Sequence, residues 1–183
     1  MSMHKLLLTA AATGLLVACA TSPSGNSLAT QGPKLGQPVS AAMVAAVDIS
    51  IPPSGAGLPT GSGSVVQGTA VYVAKCQSCH GEKGVGKPAD PLVGGIGSLA
   101  SGNAAVRTVG SYWPYATTLF DYVRRSMPTT APQTLSNEEV YAVTAYVLHL
   151  NGIVGPDAVM NAATLPSLKM PNRDGFVDMS GKK

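Results

Sequence analysis

The sequence predicts an all-α domain with three main helices, preceded by an irregular lead-in and followed by an irregular tail. Three stretches carry apolar residues at helical spacing, no stretch shows a convincing strand pattern, and the flanking segments are rich in Gly and Pro. The chain has 183 residues, a length that suits one domain with appendages.

The three helices are predicted over residues 65–75, over residues 117–126, and from Ser136 to Gly152. Ser136 can cap the first turn of the last helix, and Glu139, three residues later, completes a capping box. Apolar residues then recur at spacings of three and four, and Gly152 stands where a helix C-terminus favours glycine.

Composition and charge exclude several classes of protein. Only 11% of the residues are charged, too few for a coiled coil, and Gly shows no period of three as in collagen. Three Cys in 183 residues are too few for a disulfide-rich miniprotein. The formal net charge of +3, with no Lys/Arg cluster larger than a pair, indicates that the protein does not bind nucleic acid.

The N-terminus is predicted to direct export. Residues 1–18 combine a short positive start with an apolar run over residues 6–17, which is shorter than the about 20 residues that span a bilayer. The run ends in Leu-Val-Ala-Cys at residues 16–19, which resembles a bacterial lipobox. We therefore expect a lipoprotein-type signal peptide, lipidation of Cys19 and a membrane anchor. An ordinary signal peptide is the alternative, and either one places the mature protein in the periplasm.

The rest of the chain divides by composition. Residues 19–47 are predicted to be a flexible linker, within which residues 41–47 form an apolar patch typical of a packing segment or a helical turn. Residues 48–63 form an extended lead-in, residues 64–152 the helical domain, and residues 153–183 an irregular C-terminal extension.

The motif that carries chemistry is C-x-x-C-H at residues 76–80, by which c-type haem is attached. Cys76 and Cys79 are three positions apart and so lie on the same side of a helical turn. There they can add to the two vinyl groups along one edge of a porphyrin, while His80 is brought under the ring to ligate iron. The sequence therefore predicts one covalently attached haem c.

Two other uses of this motif are weaker. A thioredoxin-like C-x-x-C begins a helix after a strand, whereas here a predicted helix precedes it and a Gly-rich loop, residues 81–86, follows. A zinc site needs two further ligands, and the other candidates are His4 in the signal peptide, Cys19 and His149.

The motif and its surroundings resemble class I cytochrome c, in which the sixth iron ligand is a Met on a loop before the last helix. Met127 fits this place, 47 residues after His80 and directly before Pro128. The resemblance thus implies the class I cytochrome c fold, three main helices around one haem, with His80 and Met127 as axial ligands. Met170, which also precedes a Pro, and His149 are the alternative ligands, and a Met in the core is the alternative role for Met127.

The same resemblance implies roles for residues around the haem. Gly68 and Tyr72, four apart on the first helix, are expected to pack against the last helix, with Tyr146 as aromatic partner. Pro91, or alternatively Pro88, is expected to offer its carbonyl to the ring N–H of the ligating His.

Arg107, Tyr112 and Trp113 are expected to contact the haem edge. Tyr O–H and Trp N–H groups can donate to haem propionates while their rings pack, and Arg107 can pair with a propionate. The alternative is a hydrophobic loop that packs on the haem without hydrogen bonds.

Further stretches resemble one branch of the class I cytochromes: residues 57–59, 108–122, 142–152 and 170–176. This branch comprises the cytochrome subunits that accompany molybdenum sulfite or sulfane dehydrogenases in bacterial sulfur oxidation. The resemblance covers about 130 residues, and this chain carries one C-x-x-C-H where some members of the branch carry two haem domains.

The predicted function is electron transfer rather than catalysis, because an iron ligated by both His and Met has no open site for a substrate. The resemblance implies that the protein accepts single electrons from a molybdenum oxidoreductase subunit and passes them to another cytochrome or an oxidase. A general respiratory electron shuttle is the alternative. A haem peroxidase or a ligand-binding haem protein is a further alternative, which requires an open or displaceable ligand.

Overall fold

The computed structural model describes residues 35–101, 104–177 and 179–180. The predicted signal peptide and Cys19 lie outside the described residues. The helical domain and the tail lie in one compact unit, residues 42–183. None of the helices in the described part of the chain is both long and apolar enough to cross a membrane.

Helices dominate the described residues, and the two strands among them are short. The elements are α1 (Ala41–Val47), β1 (Ser62–Ser64), α2 (Val65–Lys75), α3 (Gln77–His80), α4 (Ala116–Ser126), α5 (Asn137–Leu150) and β2 (Val159–Asn161). Helices α2, α4 and α5 are the three main helices that the sequence predicts, and the all-α fold class is confirmed. Helix α4 begins one residue before its predicted start.

Capping side chains explain where α2 and α5 begin. The Ser136 hydroxyl accepts from the Glu139 backbone N–H at 3.2 Å, as predicted for α5. The same capping box starts α2, where the Ser64 hydroxyl accepts from the Gln67 backbone N–H at 3.2 Å. Each box satisfies backbone N–H groups that have no partner within the helix.

Helices α2 and α5 cross in close contact at Gly68, as expected. A Cβ atom on Gly68 would overlap the backbone carbonyl of Ala142, so only glycine allows the two backbones to approach this far. One turn further along, the rings of Tyr72 and Tyr146 lie 5.2 Å apart between centroids. The predicted packing of Gly68 and Tyr72 on the last helix is therefore confirmed.

The structure contains two short strands, β1 and β2, in segments where the sequence shows no convincing strand pattern. Strand β1 pairs with β2 in antiparallel register, with Gly63 opposite Met160. A Cβ on Gly63 would overlap the backbone of Ala142 in α5, so this small sheet lies directly against the helix. Three-residue strands carry too little alternation of apolar and polar residues to be read from sequence.

The lead-in is bound to the helices through its backbone. Its Ile51 N–H donates to Asp121 Oδ1 on α4 at 2.8 Å, and the carbonyl of Pro59 accepts from the Tyr141 hydroxyl on α5 at 2.9 Å. Ile51 itself is buried in the core. The segment contains turns at residues 53–54 and 56–57 and is fastened to the helical domain at both ends.

The C-terminal extension is also part of the domain rather than a loose tail. Met160, Leu165 and Met170 are each at most 4% exposed and belong to the hydrophobic core. The Phe176 ring packs on Tyr112 with 5.3 Å between ring centroids. By contrast, α1, which falls in the predicted linker, is helical but buries none of its side chains.

Candidate haem-binding site

The C-x-x-C-H motif forms a helical turn at the end of α2. The carbonyl of Cys76 accepts from the N–H groups of Cys79 at 3.1 Å and of His80 at 3.0 Å. This turn places both thiols on one side of the chain, as the spacing predicts. Gly81, with a φ of +74°, then ends the helix in a conformation that favours glycine.

Burial distinguishes the two thiols. Burial raises the pKa of Cys76 to about 11, and the neighbouring Cys79 adds to the rise while Lys75 opposes it. Cys79 is exposed. A thiol with this pKa is protonated at neutral pH, so it carries no charge into the apolar surroundings. Both cysteines are free of disulfides.

The His80 ring is held by a backbone carbonyl. His80 Nδ1 lies 3.0 Å from the carbonyl oxygen of Asp90. A carbonyl can only accept, so Nδ1 carries the proton and Nε2 keeps the lone pair that binds a metal. This corrects the expectation for Pro91 and Pro88, because the acceptor is the residue immediately before Pro91.

One cavity of about 620 Å³ brings the motif together with residues from distant parts of the chain. Cys76, Cys79, His80 and Met127 all line it. Its apolar walls come from the loop after the motif, from the loop over residues 106–113 and from helices α4 and α5, and they include Leu92, Val109, Leu119, Val123, Val143 and Val147. The size falls in the usual range of about 300–1,000 Å³ for small-molecule sites.

Met127 lies where α4 ends. Its backbone is extended, with φ −116° and ψ +145°, and its N–H caps the helix by donating to the carbonyl of Val123 at 3.0 Å. Pro128 follows, lines the same cavity, and cannot continue a helix. The helix end therefore presents a half-buried thioether at the cavity.

The two alternative ligands lie elsewhere. Met170 is 1% exposed and belongs to the hydrophobic core, and it does not line the cavity. His149 directs Nδ1 to the carbonyl of Val154 at 3.1 Å and does not line the cavity either. Of the three candidate sixth ligands, only Met127 shares a cavity with His80.

Of Arg107, Tyr112 and Trp113, which are expected to contact the haem edge, two line the cavity. Arg107 and Trp113 line the cavity, and the Trp113 ring meets Tyr122 edge-on at 5.6 Å between centroids. Tyr112 does not line the cavity: its ring packs against Phe176, and the Arg107 guanidinium lies over it at 5.5 Å. The expected contact of Tyr112 with the haem edge is thus corrected to a contact with the tail.

Sequence reasoning missed Asp90 and most of the apolar cavity wall. The Asp90 carbonyl depends on the path of a loop, and its only sequence signal is the Pro that follows it. The four-residue spacing of Val143 and Val147 places them on one face of α5 and predicts that they pack in the protein core. Nothing in the spacing distinguishes a face that packs on protein from one that packs on a cofactor.

The residues present fit a covalently attached haem. Two thiols lie on one side of a helical turn, an imidazole is held through Nδ1 by a backbone carbonyl, and a thioether shares the same largely apolar cavity. A zinc site lacks support, because the described residues contain no group of three or more His, Cys, Asp or Glu side chains placed to hold a metal ion.

Comparison with known proteins agrees with this geometry. The family model of cytochrome c matches residues 65–151. The structure is similar to a chain of the sulfane dehydrogenase SoxCD from Paracoccus pantotrophus, with a TM-score of 0.74 and 40% sequence identity. The match covers 80% of this chain and 72% of the other, and so extends beyond the residues that the family model matches. No curated protein matches the chain. The chain belongs to the cytochrome c family.

Proposed function

We propose that this protein is a periplasmic monohaem cytochrome that carries single electrons from a molybdenum sulfite or sulfane dehydrogenase to another cytochrome or an oxidase. Membership of the cytochrome c family implies electron transfer and covalently bound haem c. The observation that supports one haem with His/Met ligation is the meeting of Cys76, Cys79, His80 and Met127 in one cavity.

Haem c, when bound, supplies a redox centre that takes up and releases one electron. Cys76 and Cys79 would hold it through thioether bonds, and His80 Nε2 and the Met127 thioether would be its axial ligands. An iron held by both His80 and Met127 would have no position left for a substrate, which favours a carrier over a peroxidase or a ligand-binding protein.

The protein's own residues prepare the site for this role. The Asp90 carbonyl fixes the tautomer and orientation of His80, and such a bond raises the basicity of a ligating imidazole. The apolar walls from α4 and α5 limit access of water. Arg107 and Trp113 line the cavity, and their N–H groups could pair with acidic substituents of the bound group.

Similarity supports the choice of electron donor. The similar solved structure is named as a sulfane dehydrogenase, and the matched region includes more than the haem domain. The tail stretch over residues 170–176, which resembles the same branch in sequence, packs on Tyr112 through Phe176. The N-terminal pattern of residues 1–19 supports export and a lipid anchor at Cys19.

The proposal is tested by electron uptake from a dehydrogenase. The oxidised holo-protein is mixed with a purified bacterial molybdenum sulfite or sulfane dehydrogenase and its sulfur substrate, and haem reduction is followed by absorbance. We expect reduction to one electron per polypeptide, and no reduction when the sulfur substrate is omitted. A holo-protein that ascorbate reduces but the dehydrogenases do not would contradict the donor. A high-spin spectrum or rapid CO binding by the reduced protein would contradict the carrier function.

A further inference from the structure

We infer that Asn151 is a positioning residue that fixes the orientation of the His80 imidazole through the loop of residues 81–92. The inference rests on the proposed function, because the role it assigns is relative to the haem that His80 would ligate. Asn151 does not line the cavity, and neither the motif nor the family match singles it out.

Asn151 joins the end of α5 to this loop. It follows the last residue of the helix and is 8% exposed. Its Nδ2 donates to the carbonyl of Leu92 at 3.0 Å and to the carbonyl of Val147 at 2.9 Å. Both partners can only accept, so they determine which way the amide faces. One N–H of the side-chain amide thus donates to α5, and the other donates to the loop.

The loop transmits this contact to His80 over a short and stiff path. Leu92 is two residues after Asp90, whose carbonyl accepts from His80 Nδ1. Between them stands Pro91, whose ring fixes its own φ and restricts the backbone of Asp90. The Leu92 N–H donates to the carbonyl of Gly84 at 2.8 Å, which ties the end of the loop to its beginning. A displacement of Leu92 must therefore move the Asp90 carbonyl.

The carbonyl of Leu92 also contacts a third segment, the loop over residues 106–113. The Val109 N–H also donates to the Leu92 carbonyl, at 3.2 Å. The neighbouring Gly110 is buried against the Asn151 amide, and a Cβ there would overlap Asn151 Oδ1. Asn151 therefore lies where α5, the loop after the motif and the loop over residues 106–113 converge.

Removal of the amide should loosen this contact without unfolding the protein. The Leu92 carbonyl would keep the Val109 N–H, and the Val147 carbonyl would keep the backbone N–H of residue 151 at 3.3 Å. No buried carbonyl is left unpaired, which is the costly outcome of such deletions. What is lost is the restraint on the Asp90 carbonyl. A weaker bond to Nδ1 makes the imidazole less basic, which favours the reduced haem.

The test compares wild-type holo-protein with Asn151→Ala and with Tyr141→Phe as control. Tyr141 lies on the same helix, does not line the cavity, and donates to the carbonyl of Pro59 at 2.9 Å. In the reduced form, NMR follows solvent exchange of the His80 Nδ1 proton, and a redox titration gives the midpoint potential. We expect at least tenfold faster exchange and a more positive potential in Asn151→Ala. Tyr141→Phe should keep both at the wild-type values, even where it lowers the melting temperature.

A second variant, Gly110→Ala, tests the inference if Asn151→Ala does not yield folded holo-protein. Gly110→Ala displaces the amide of Asn151 without removing it and should change both readouts in the same direction. Variants that lower thermal stability but leave proton exchange and potential unchanged would show a purely structural role and overturn the inference. The wild-type spectrum tests the proposed function separately: a wild type without low-spin covalent haem contradicts that function, whatever the variants show.

Discussion

Asp121 is the residue that fastens the lead-in to α4. Its carboxylate accepts from the Ile51 N–H at 2.8 Å and from Arg125 Nε at 2.9 Å, and it forms an ion pair with the same guanidinium. Burial by itself would raise the pKa of Asp121. The hydrogen bonds from Arg125 and Ile51 and the positive charges of Arg125 and Arg124 outweigh it, so the pKa lies below its ordinary value of 3.8.

This lowered pKa predicts how stability depends on pH. An acid whose pKa is lower in the folded protein stabilises the fold above its unfolded pKa, and this contribution is lost as pH falls through the folded pKa. Asp121→Asn should therefore cost about 1.5–3 kcal/mol at neutral pH, the range for a hydrogen bond to a charged group. The cost should shrink below pH 3.8.

Urea unfolding of the holo-protein at several pH values measures this cost. Asp157→Asn, at an exposed position, is the control and should stay within about 0.5 kcal/mol of the wild type. An Asp121→Asn cost that is the same at pH 7 and in acid would show that the ion pair does not stabilise the fold.

At the level of elements, the contact between α2 and α5 depends on Gly68. In an exposed helix, Gly→Ala stabilises by about 1 kcal/mol through helix propensity. Here the added Cβ would overlap the Ala142 carbonyl and approach the Cβ of Tyr146. Backbone atoms cannot rotate away as a side chain can, so the helices must separate and the steric cost exceeds the gain in propensity.

Gly68→Ala should therefore destabilise the holo-protein by about 1–3 kcal/mol or more. Differential scanning calorimetry gives the melting temperature, and Gly155→Ala is the matched control because open space surrounds the position of its Cβ. The control should leave stability nearly unchanged. A Gly68→Ala protein as stable as Gly155→Ala would mean that the two helices are not in close contact.

The elements also show what sequence can reveal about this fold. Periodicity predicts α2 and α4, and periodicity with a capping box predicts α5, to within one or two residues, because those signals are local. The pairing of β1 with β2 depends on contact between segments that lie about a hundred residues apart, and Ser62–Ser64 alone carries no such signal. The requirement for glycine at position 63 is explained only by the contact with α5, where a Cβ would overlap the backbone of Ala142.

At the scale of the whole molecule, the cavity is assembled from segments that the sequence keeps apart. The motif, with Cys76, Cys79 and His80, was identified from spacing alone because attachment chemistry requires adjacent residues. Met127 was expected from family resemblance, and the structure adds that it shares the cavity with His80 while Met170 is buried in the core. The sequence does not show whether the carbonyl of Asp90 or that of Pro91 accepts from His80, because the two carbonyls are only one peptide unit apart.

The identity of the sixth ligand is the most direct test of the account. The near-infrared absorbance of the oxidised holo-protein reports a bond between a Met thioether and ferric haem iron. We predict a weak near-infrared band in the wild type and in Met170→Leu, and its loss in Met127→Ala. A band that survives in Met127→Ala but disappears in Met170→Leu, or a wild type that lacks the band and is high-spin, would contradict the account.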